Sequence, residues 1–489
     1  MPAPAGPVRD ALAEALAASL DGPVPEATPR RVYGPVQLPG KVTSVLGVRR
    51  AGKTTFVHQM RRERLAAGAA RTLVPYVNFE DERLAGLEGA QLGFLLDEYG
   101  RRVPDAARLG TVRWCFDEIQ VVPGWERFVR RLLDSGGAEV VVTGSSATLL
   151  SREIGTALRG RAWSVLLFPF SFAEALAHQG QPAPTDPALV TGAERSRLEH
   201  AFLEWLEVGG FPEAQALDPA SRQQLLRDYV DVAILRDVVE RHGVTNVTAL
   251  RWLVRHLLAN AASPFSVEKF HRALKSQGIA VSRDTLHHLL GYLEDCFLVR
   301  TVWLEAASER QRMVNPRKVY PVDPGLIPLF DRTGRANVGH ALETAVLIEL
   351  ERRRCDVTYA RTPEGHEVDF LARAPDGTEH LIQVCADAAE PATAARELRA
   401  LREAGRRWPR ARRWLLTLTR DRTPPEAPED VTCWPAYQWM LAKDAAGCAS
   451  SSSSCADRYT TSRSAPRSGG WAGRWSRRRR PARSSRGAR

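Results

Sequence analysis

The feature that most restricts what this chain can fold into is the octapeptide Gly47-Val48-Arg49-Arg50-Ala51-Gly52-Lys53-Thr54, a complete G-x-x-x-x-G-K-[ST]. It follows the apolar run Lys41–Leu46 and opens a segment, Thr54–Ala67, with helical patterning. Strand, tight loop and helix in that order wrap backbone N–H groups around phosphate, and glycines are needed where a Cβ would block the wrap. The helix start adds the positive end of its dipole. With 36 Gly and 6 Lys in 489 residues, chance would give this pattern on the order of 0.004 times per chain, so the loop is read as a phosphate site. Gly47, Arg49, Arg50, Ala51, Gly52, Lys53, Thr54 and Thr55 are its expected nucleotide-binding residues. Lys53 is expected to reach the β- and γ-phosphates, and the Thr54 hydroxyl to enter a Mg²⁺ shell.

A second half of such a site belongs at the end of another strand. Arg113-Trp114-Cys115-Phe116-Asp117-Glu118 supplies an apolar run ending in two acids. Asp117 is expected to hold Mg²⁺ through water, and Glu118 to orient the attacking water. A third run, Glu139–Thr143, leads into Gly144-Ser145-Ser146, where Ser145 or Ser146 is a candidate sensor of the γ-phosphate. Leu158-Arg159-Gly160-Arg161 follows. Arg159 or Arg161, acting in its own chain or across to a neighbouring copy, is the candidate for offsetting charge on the transferred phosphoryl group.

The 489 residues suit several domains. Residues 1–32, rich in Ala and Pro, read as a flexible leader with one short helix, and 33–168 alternates strand-like and helical runs as a parallel sheet covered by helices does. Residues 169–243 read as a helical lid, and 244–312 as three helices and a strand in winged-helix order, with Ser266 and Ser282 at N-cap positions. Residues 313–443 form a second α/β unit with a hairpin about Asp376-Gly377, and 444–489 a Ser/Arg-rich disordered tail.

The formal charge of +11 is no argument that the body binds nucleic acid, because residues 445–489 hold eleven Arg against the single acid Asp457. The presumed recognition helix Arg283–Asp295 mixes Arg283, His287 and His288 with acids, while Lys269, Arg272 and Lys275 lie on the helix before it. With no secretory signal and no apolar run of membrane length, a cytoplasmic protein without a membrane partner is expected. The seven scattered Cys lack a C-x-x-C pair and read as free thiols.

Taken in order, Gly47–Thr55, Tyr76–Asp81, Phe116–Gln120, Thr143–Ser146, Leu158–Arg161, Phe168–Phe172, Gly209–Glu213, Asn315–Tyr320 and Glu367–Phe370 resemble the AAA+-type ATP-binding proteins of bacteria and archaea that end in a domain of unknown function. The resemblance covers about residues 30–440 and implies ATP, Mg²⁺, a winged helix and a terminal domain similar to PD-(D/E)xK nucleases. The implied fold class is α/β: an AAA+-like P-loop NTPase sheet domain, a helical lid, a winged helix and a restriction-endonuclease-like α/β domain. In that last domain, folding Glu367–Arg373 back on Glu379–Cys385 sets Asp369 opposite Gln383–Cys385. Glu343, Asp369 and Gln383 are then the candidate ligands of a degenerate nuclease site, in which Cys385 stands where an activating Lys is required. The expected activity is ATP hydrolysis coupled to a conformational change on or near DNA, in a chain that self-associates or acts on a protein client. An ATP-gated switch for a protein partner, of signalling or toxin–antitoxin type, and an active DNA nuclease are the alternatives.

Overall fold

Five apolar runs build the first sheet: β1 (Val42–Leu46), β2 (Tyr76–Asn78), β3 (Val112–Asp117), β4 (Ala138–Gly144) and β5 (Ala162–Leu166). All pair in parallel, in the order β2-β3-β4-β1-β5. All five residues of β1 are buried, the signature of a strand covered on both faces. The computed structural model describes residues 6–144, 158, 160–181, 183–330, 338–426 and 428–442. All of them belong to one contact unit, residues 1–451; the expected tail, 444–489, lies outside the described residues.

Side chains alternate across this sheet. Val45 and Val141 meet Phe56, Val57 and Met60 of the helix Lys53–Ala66 on one face. Trp114, Phe116, Val140 and Val142 meet Trp125 and Phe128 of the helix Trp125–Asp134 on the other. The leader forms its expected helix, over Gly6–Asp21, but it is not loose: Leu12, Leu16 and Leu20, four residues apart, are buried in that second core. A four-residue apolar spacing had more to bury than its Ala-rich setting suggested.

Beyond β5 come the helices Phe172–His178, Gly192–Val208 and Pro219–Val232, the last continuing as a π-helical stretch, Ala233–Glu240. Val247–Ala259, Val267–Ser276 and Arg283–Asp295 follow. Ser266 and Ser282 cap the last two, accepting from the amides of Lys269 at 3.4 Å and Thr285 at 3.0 Å.

The second sheet has eight strands: β6 (Pro264–Phe265), β7 (Val299–Leu304), β8 (Arg317–Pro321), β9 (Asp356–Arg361), β10 (Glu367–Arg373), β11 (Glu379–Cys385), β12 (Arg412–Thr417) and β13 (Thr432–Pro435). Their order is β13-β12-β11-β10-β9-β7-β8-β6. The boundary expected at 312/313 therefore does not separate two sheets. β7 pairs in parallel with β9 through Trp303–Thr358 and Leu304–Tyr359, which satisfies backbone groups that an isolated edge would leave open. The Asp376-Gly377 turn forms as its residues require, with Gly377 at φ 85° and Asp376 Oδ1 accepting from the Thr378 amide at 2.9 Å. Among the described residues, no helix is long and apolar enough to cross a membrane.

Candidate active site

The loop leaves β1 at Gly47, whose φ of 148° and close neighbour exclude any side chain: a Cβ there would sit 2.0 Å from the Leu167 carbonyl oxygen. Gly52, at φ 91°, is the N-cap of the helix Lys53–Ala66 and contributes no capping side chain. The first-turn N–H groups thus meet no internal side-chain acceptor at the cap, the arrangement that favours an anion. Arg50 takes φ 65° between the two glycines.

Lys53 is buried, and its ammonium folds back to donate to the carbonyls of Gly47 (3.2 Å) and Val48 (3.3 Å), with Glu118 Oε1 at 4.0 Å. Burial pushes its pKa below the ordinary lysine value, with Glu118 opposing. One helical position on, Thr54 Oγ1 donates to Asp117 Oδ2 at 2.7 Å. Asp117, at the end of β3, also accepts from the Tyr76 hydroxyl at 2.8 Å and from Thr143 Oγ1 on β4. Thr143 Oγ1 in turn accepts from the Glu118 amide at 2.8 Å. Glu118 stands at φ 51°, a strained position for a non-glycine residue. Its carboxylate accepts from Gln120 Nε2, and burial raises its pKa against the pull of Lys53.

Thr54 and Asp117 place two hard oxygen donors side by side. This fits Mg²⁺, which takes one or two protein oxygens and completes its shell with phosphate and water. Thr55 is half-buried in the first turn of the same helix.

The loop's two arginines reach carboxylates far away in sequence. Arg49 Nε pairs with the buried Asp237 of the π-helical stretch at 2.8 Å, and its Nη1 lies 3.4 Å from Glu80. Arg50 pairs with Glu213 at 3.2 Å, and Glu213 also accepts from the Tyr229 hydroxyl. Tyr76, Gln120, Glu213 and Asp237 escaped the sequence reading. Tyr76, Gln120 and Glu213 lie inside quoted motifs, whereas nothing in the chain marks Asp237.

Three candidates, Ser145, Ser146 and Arg159, lie outside the described residues. Arg161 is a correction. It immediately precedes β5, whose Ala162 pairs with Val42 at the start of β1, while the loop leaves β1 after Leu46. Parallel pairing puts these at opposite ends of two neighbouring strands, about 13 Å apart by strand rise, and the Arg161 guanidinium pairs with Asp134 instead. Arg161 does not serve the loop of its own chain.

A second cluster forms in the terminal sheet. Glu343, Glu367 and Asp369 converge on the ammonium of Lys318, from β8, at 3.2, 3.0 and 3.0 Å. The Tyr320 hydroxyl donates to Glu343 at 2.7 Å. A register shift in the β9–β10 pairing between Val368 and Leu371 accompanies the inward turn of Asp369. Lys318 is buried; burial works against its charge, but Asp369, Glu343 and Glu367 together raise its pKa. Burial and the adjacent Asp369 push Glu343 up to about 8.

Here too the candidate set needs correcting. Gln383 does not join Glu343 and Asp369 as a ligand: its Nε2 donates to Glu397 at 2.8 Å and its Oε1 accepts from the Asp369 amide at 3.3 Å. Among the described residues, no group of three or more His, Cys, Asp or Glu has metal-holding geometry. The lysine missing at Cys385 enters instead from a strand 67 residues upstream.

Residues 39–176 match the family described as an AAA domain, and residues 199–334 one described as a domain of unknown function (DUF8612). The uncharacterized protein MJ1544 of Methanocaldococcus jannaschii is 33% identical over 355 residues, spanning 71% of this chain and 75% of that protein. An uncharacterized protein of Haemophilus influenzae is 29% identical over 333 residues, spanning 68% of this chain and 79% of that one. Among solved structures, the Walker-type ATPase PABY2304 of Pyrococcus abyssi is similar at 17% identity and a TM-score of 0.38, over 66% of this chain and 95% of that chain. The Aeropyrum pernix ORC2 protein in its ADPNP–ADP complexes is similar at 14% identity and a TM-score of 0.35, over 66% of this chain and 91% of that chain. With a phosphate-loop sheet domain on the page and a relative matched over three quarters of its length, this chain belongs to the family of AAA-domain proteins that includes MJ1544 of Methanocaldococcus jannaschii.

Proposed function

We propose that this chain binds ATP with Mg²⁺ at the 47–54 loop, hydrolyses it to ADP and phosphate, and couples the cycle to a conformational change. The observation that carries the reading is the convergence of Lys53, Thr54, Asp117 and Glu118 where β1 and β3 end. Among the described residues Lys53 has two carbonyl acceptors and one carboxylate at 4.0 Å, so phosphate oxygens are stronger partners for it. Thr54 and Asp117 would hold the Mg²⁺, which neutralises charge on the β- and γ-phosphates when bound. Glu118, its pKa raised by burial, orients a water for in-line attack on the γ-phosphorus and accepts its proton. Gln120 fixes the rotamer of that carboxylate. The pairs Arg49–Asp237 and Arg50–Glu213 tie the loop to residues 169–243, which we read as a lid whose position follows the nucleotide.

Residues 244–312 are read as a winged helix. A DNA partner is supported by the exposed row Lys269, Arg272 and Lys275 on the helix Val267–Ser276. A protein partner is the second reading, favoured by the pairing of Arg283 with Glu268 at 3.1 Å, which neutralises the one arginine of the following helix. The terminal sheet is read as a nuclease-like shell without nuclease activity, because the Lys318 ammonium sits among Glu343, Glu367 and Asp369, where a metal ion would have to be held. If the chain self-associates, Arg159 or Arg161 of a neighbouring copy is our candidate for offsetting charge on the transferred phosphoryl group.

The test is calorimetric titration of the full chain with Mg-ATP, followed by the steady-state ATPase rate with and without single- and double-stranded DNA. Heat of binding and turnover support the reading, and their absence removes it. Stimulation by DNA favours the first partner, and a rate indifferent to DNA favours the second.

A further inference from the structure

Arg30 lies in the leader, ahead of β1, yet its guanidinium is buried behind the phosphate loop. Its Nη1 donates to the carbonyl oxygen of Ala51, inside the loop, at 2.6 Å. Its Nη2 donates to the carbonyl of Phe168, in the run that leaves β5 beside Gly47. The arginine therefore bridges the two backbone segments that flank the candidate nucleotide. Its own position is fixed twice over. Gln59, on the helix after the loop, bonds both the Arg30 amide (2.7 Å) and its carbonyl (3.1 Å). Glu174 holds the guanidinium with Oε1 3.2 Å from Nε.

Glu174 is a fixed counter-ion. It closes a capping box with Ser171 at the start of the helix Phe172–His178 and accepts from the Arg31 amide at 2.6 Å. It also pairs with Arg352, at the end of the terminal-sheet helix Val338–Arg352, at 3.5 Å. Burying two arginines and a glutamate carries a large desolvation cost, and an apolar residue at position 30 would fill the space without it. What an apolar residue would not do is hold a loop carbonyl.

That carbonyl matters because of peptide geometry. In a trans peptide the C=O and the following N–H point in opposite directions. A carbonyl of Ala51 drawn back onto Arg30 turns the Gly52 N–H away from the buried guanidinium, and Gly52 is the N-cap of the phosphate-facing helix. We infer that Arg30 is a positioning residue for the nucleotide site: from behind the loop it holds the Ala51–Gly52 peptide in the orientation that presents the Gly52 N–H to phosphate, and Glu174 holds Arg30. This inference rests on the reading of the loop as the Mg-ATP site.

The experiment compares wild type, Arg30→Met, Arg30→Lys, Glu174→Gln and Lys53→Ala as full chains. It measures Kd for Mg-ATP by calorimetry, kcat and KM, and the thermal midpoint without nucleotide, with all binding done well below every midpoint. Loss of a charged hydrogen bond to the loop predicts Kd and KM raised about tenfold or more in Arg30→Met. In Arg30→Lys, whose ammonium still reaches toward Ala51, at least half of that loss on a logarithmic scale is recovered. Glu174→Gln gives an intermediate weakening, and kcat at saturation changes less than KM in all three. If Arg30→Met fails to fold, Arg30→Lys and Glu174→Gln carry the same comparison. Midpoints that fall while Kd stays within about twofold of wild type overturn the positioning role and leave the ATP reading standing. Absence of Mg-ATP binding in the wild type itself overturns both.

Discussion

Two buried lysines, one in each sheet domain, face carboxylates in opposite ways. Lys53 rests on two carbonyls at 3.2–3.3 Å with one carboxylate at 4.0 Å, and its pKa is lowered by burial. Lys318 is enclosed by three acids at 3.0–3.2 Å, and its pKa is raised. Desolvation is the same kind of cost in both places; the difference is how much of it the surroundings offset. An under-compensated cation is a poised one, ready for the phosphates that would complete its shell. A cation held by three acids has the partners it needs, as Lys318 does with Glu343, Glu367 and Asp369. Two sites with a lysine and carboxylates thus have opposite chemical prospects, decided by about an ångström of separation and the number of acids.

This contrast can be broken first at its extremes. Lys53→Ala is expected to abolish Mg-ATP binding in calorimetry while leaving the thermal midpoint close to wild type, since no strong partner is left unpaired. A variant that still binds would show that the loop does not work through its lysine. Glu118→Gln should bind Mg-ATP with nearly unchanged affinity but turn over about 10²–10⁴-fold more slowly, the span of a lost general base. Wild-type turnover would remove Glu118 from that role.

Lys318→Ala should do the reverse of Lys53→Ala. Nucleotide affinity is kept, and chemical denaturation shows about 3–5 kcal/mol of lost stability, because buried acids lose their counter-ion. A loss below about 1 kcal/mol would mean that the cluster is not compensated as the geometry indicates.

The two lysines should also separate in pH. Only the charged ammonium of Lys53 attracts phosphate, and burial lowers its pKa in the nucleotide-free chain. The alkaline limb of kcat/KM for Mg-ATP should therefore fall at a lower pH than an ordinary lysine titrates, as the proton is lost with rising pH. The contribution of Lys318, whose folded pKa is raised above its unfolded value, is present below the unfolded pKa and persists through the same alkaline range. A limb at the ordinary lysine position contradicts the first half of this contrast.

The smallest effect is expected at Glu343. Burial and Asp369 push its pKa up, so of the three acids its charge is the costliest to hold, and Glu343→Gln should cost under about 1 kcal/mol at pH 7 while Asp369→Asn costs more. Equal losses would place full charge on Glu343.

Much of this was legible along the chain because it is local. The 47–54 loop, the two acids ending β3 and the Asp376-Gly377 hairpin each rest on turn chemistry or strand periodicity within about ten residues. What misled the reading was proximity without direction. Arg161 stands beside a strand of the right sheet, but parallel pairing places it at the strand end away from the loop. The leader's helix was expected but not its burial: its three leucines needed a partner surface, and that surface lies on β2, the helix Gly93–Arg102 and the turns at Arg71–Leu73 and Glu82–Leu84. Cys385 does stand where a lysine was sought, yet the cluster has one, from a strand the expected domain boundary placed at the start of the terminal unit.

Local pattern along the chain was enough to place a G-x-x-x-x-G-K-T turn between the first strand and its helix, and acids after a second strand. Backbone dihedrals, glycine positions and apolar periods are set by neighbours a few residues apart. Only the tertiary structure decided which charges meet: Arg30 with Ala51, Arg49 with Asp237, and Lys318 with three acids from one helix and one strand. Those pairings depend on the packing of segments tens to hundreds of residues apart, and Coulomb and desolvation energies respond to final separations and burial that no local pattern encodes.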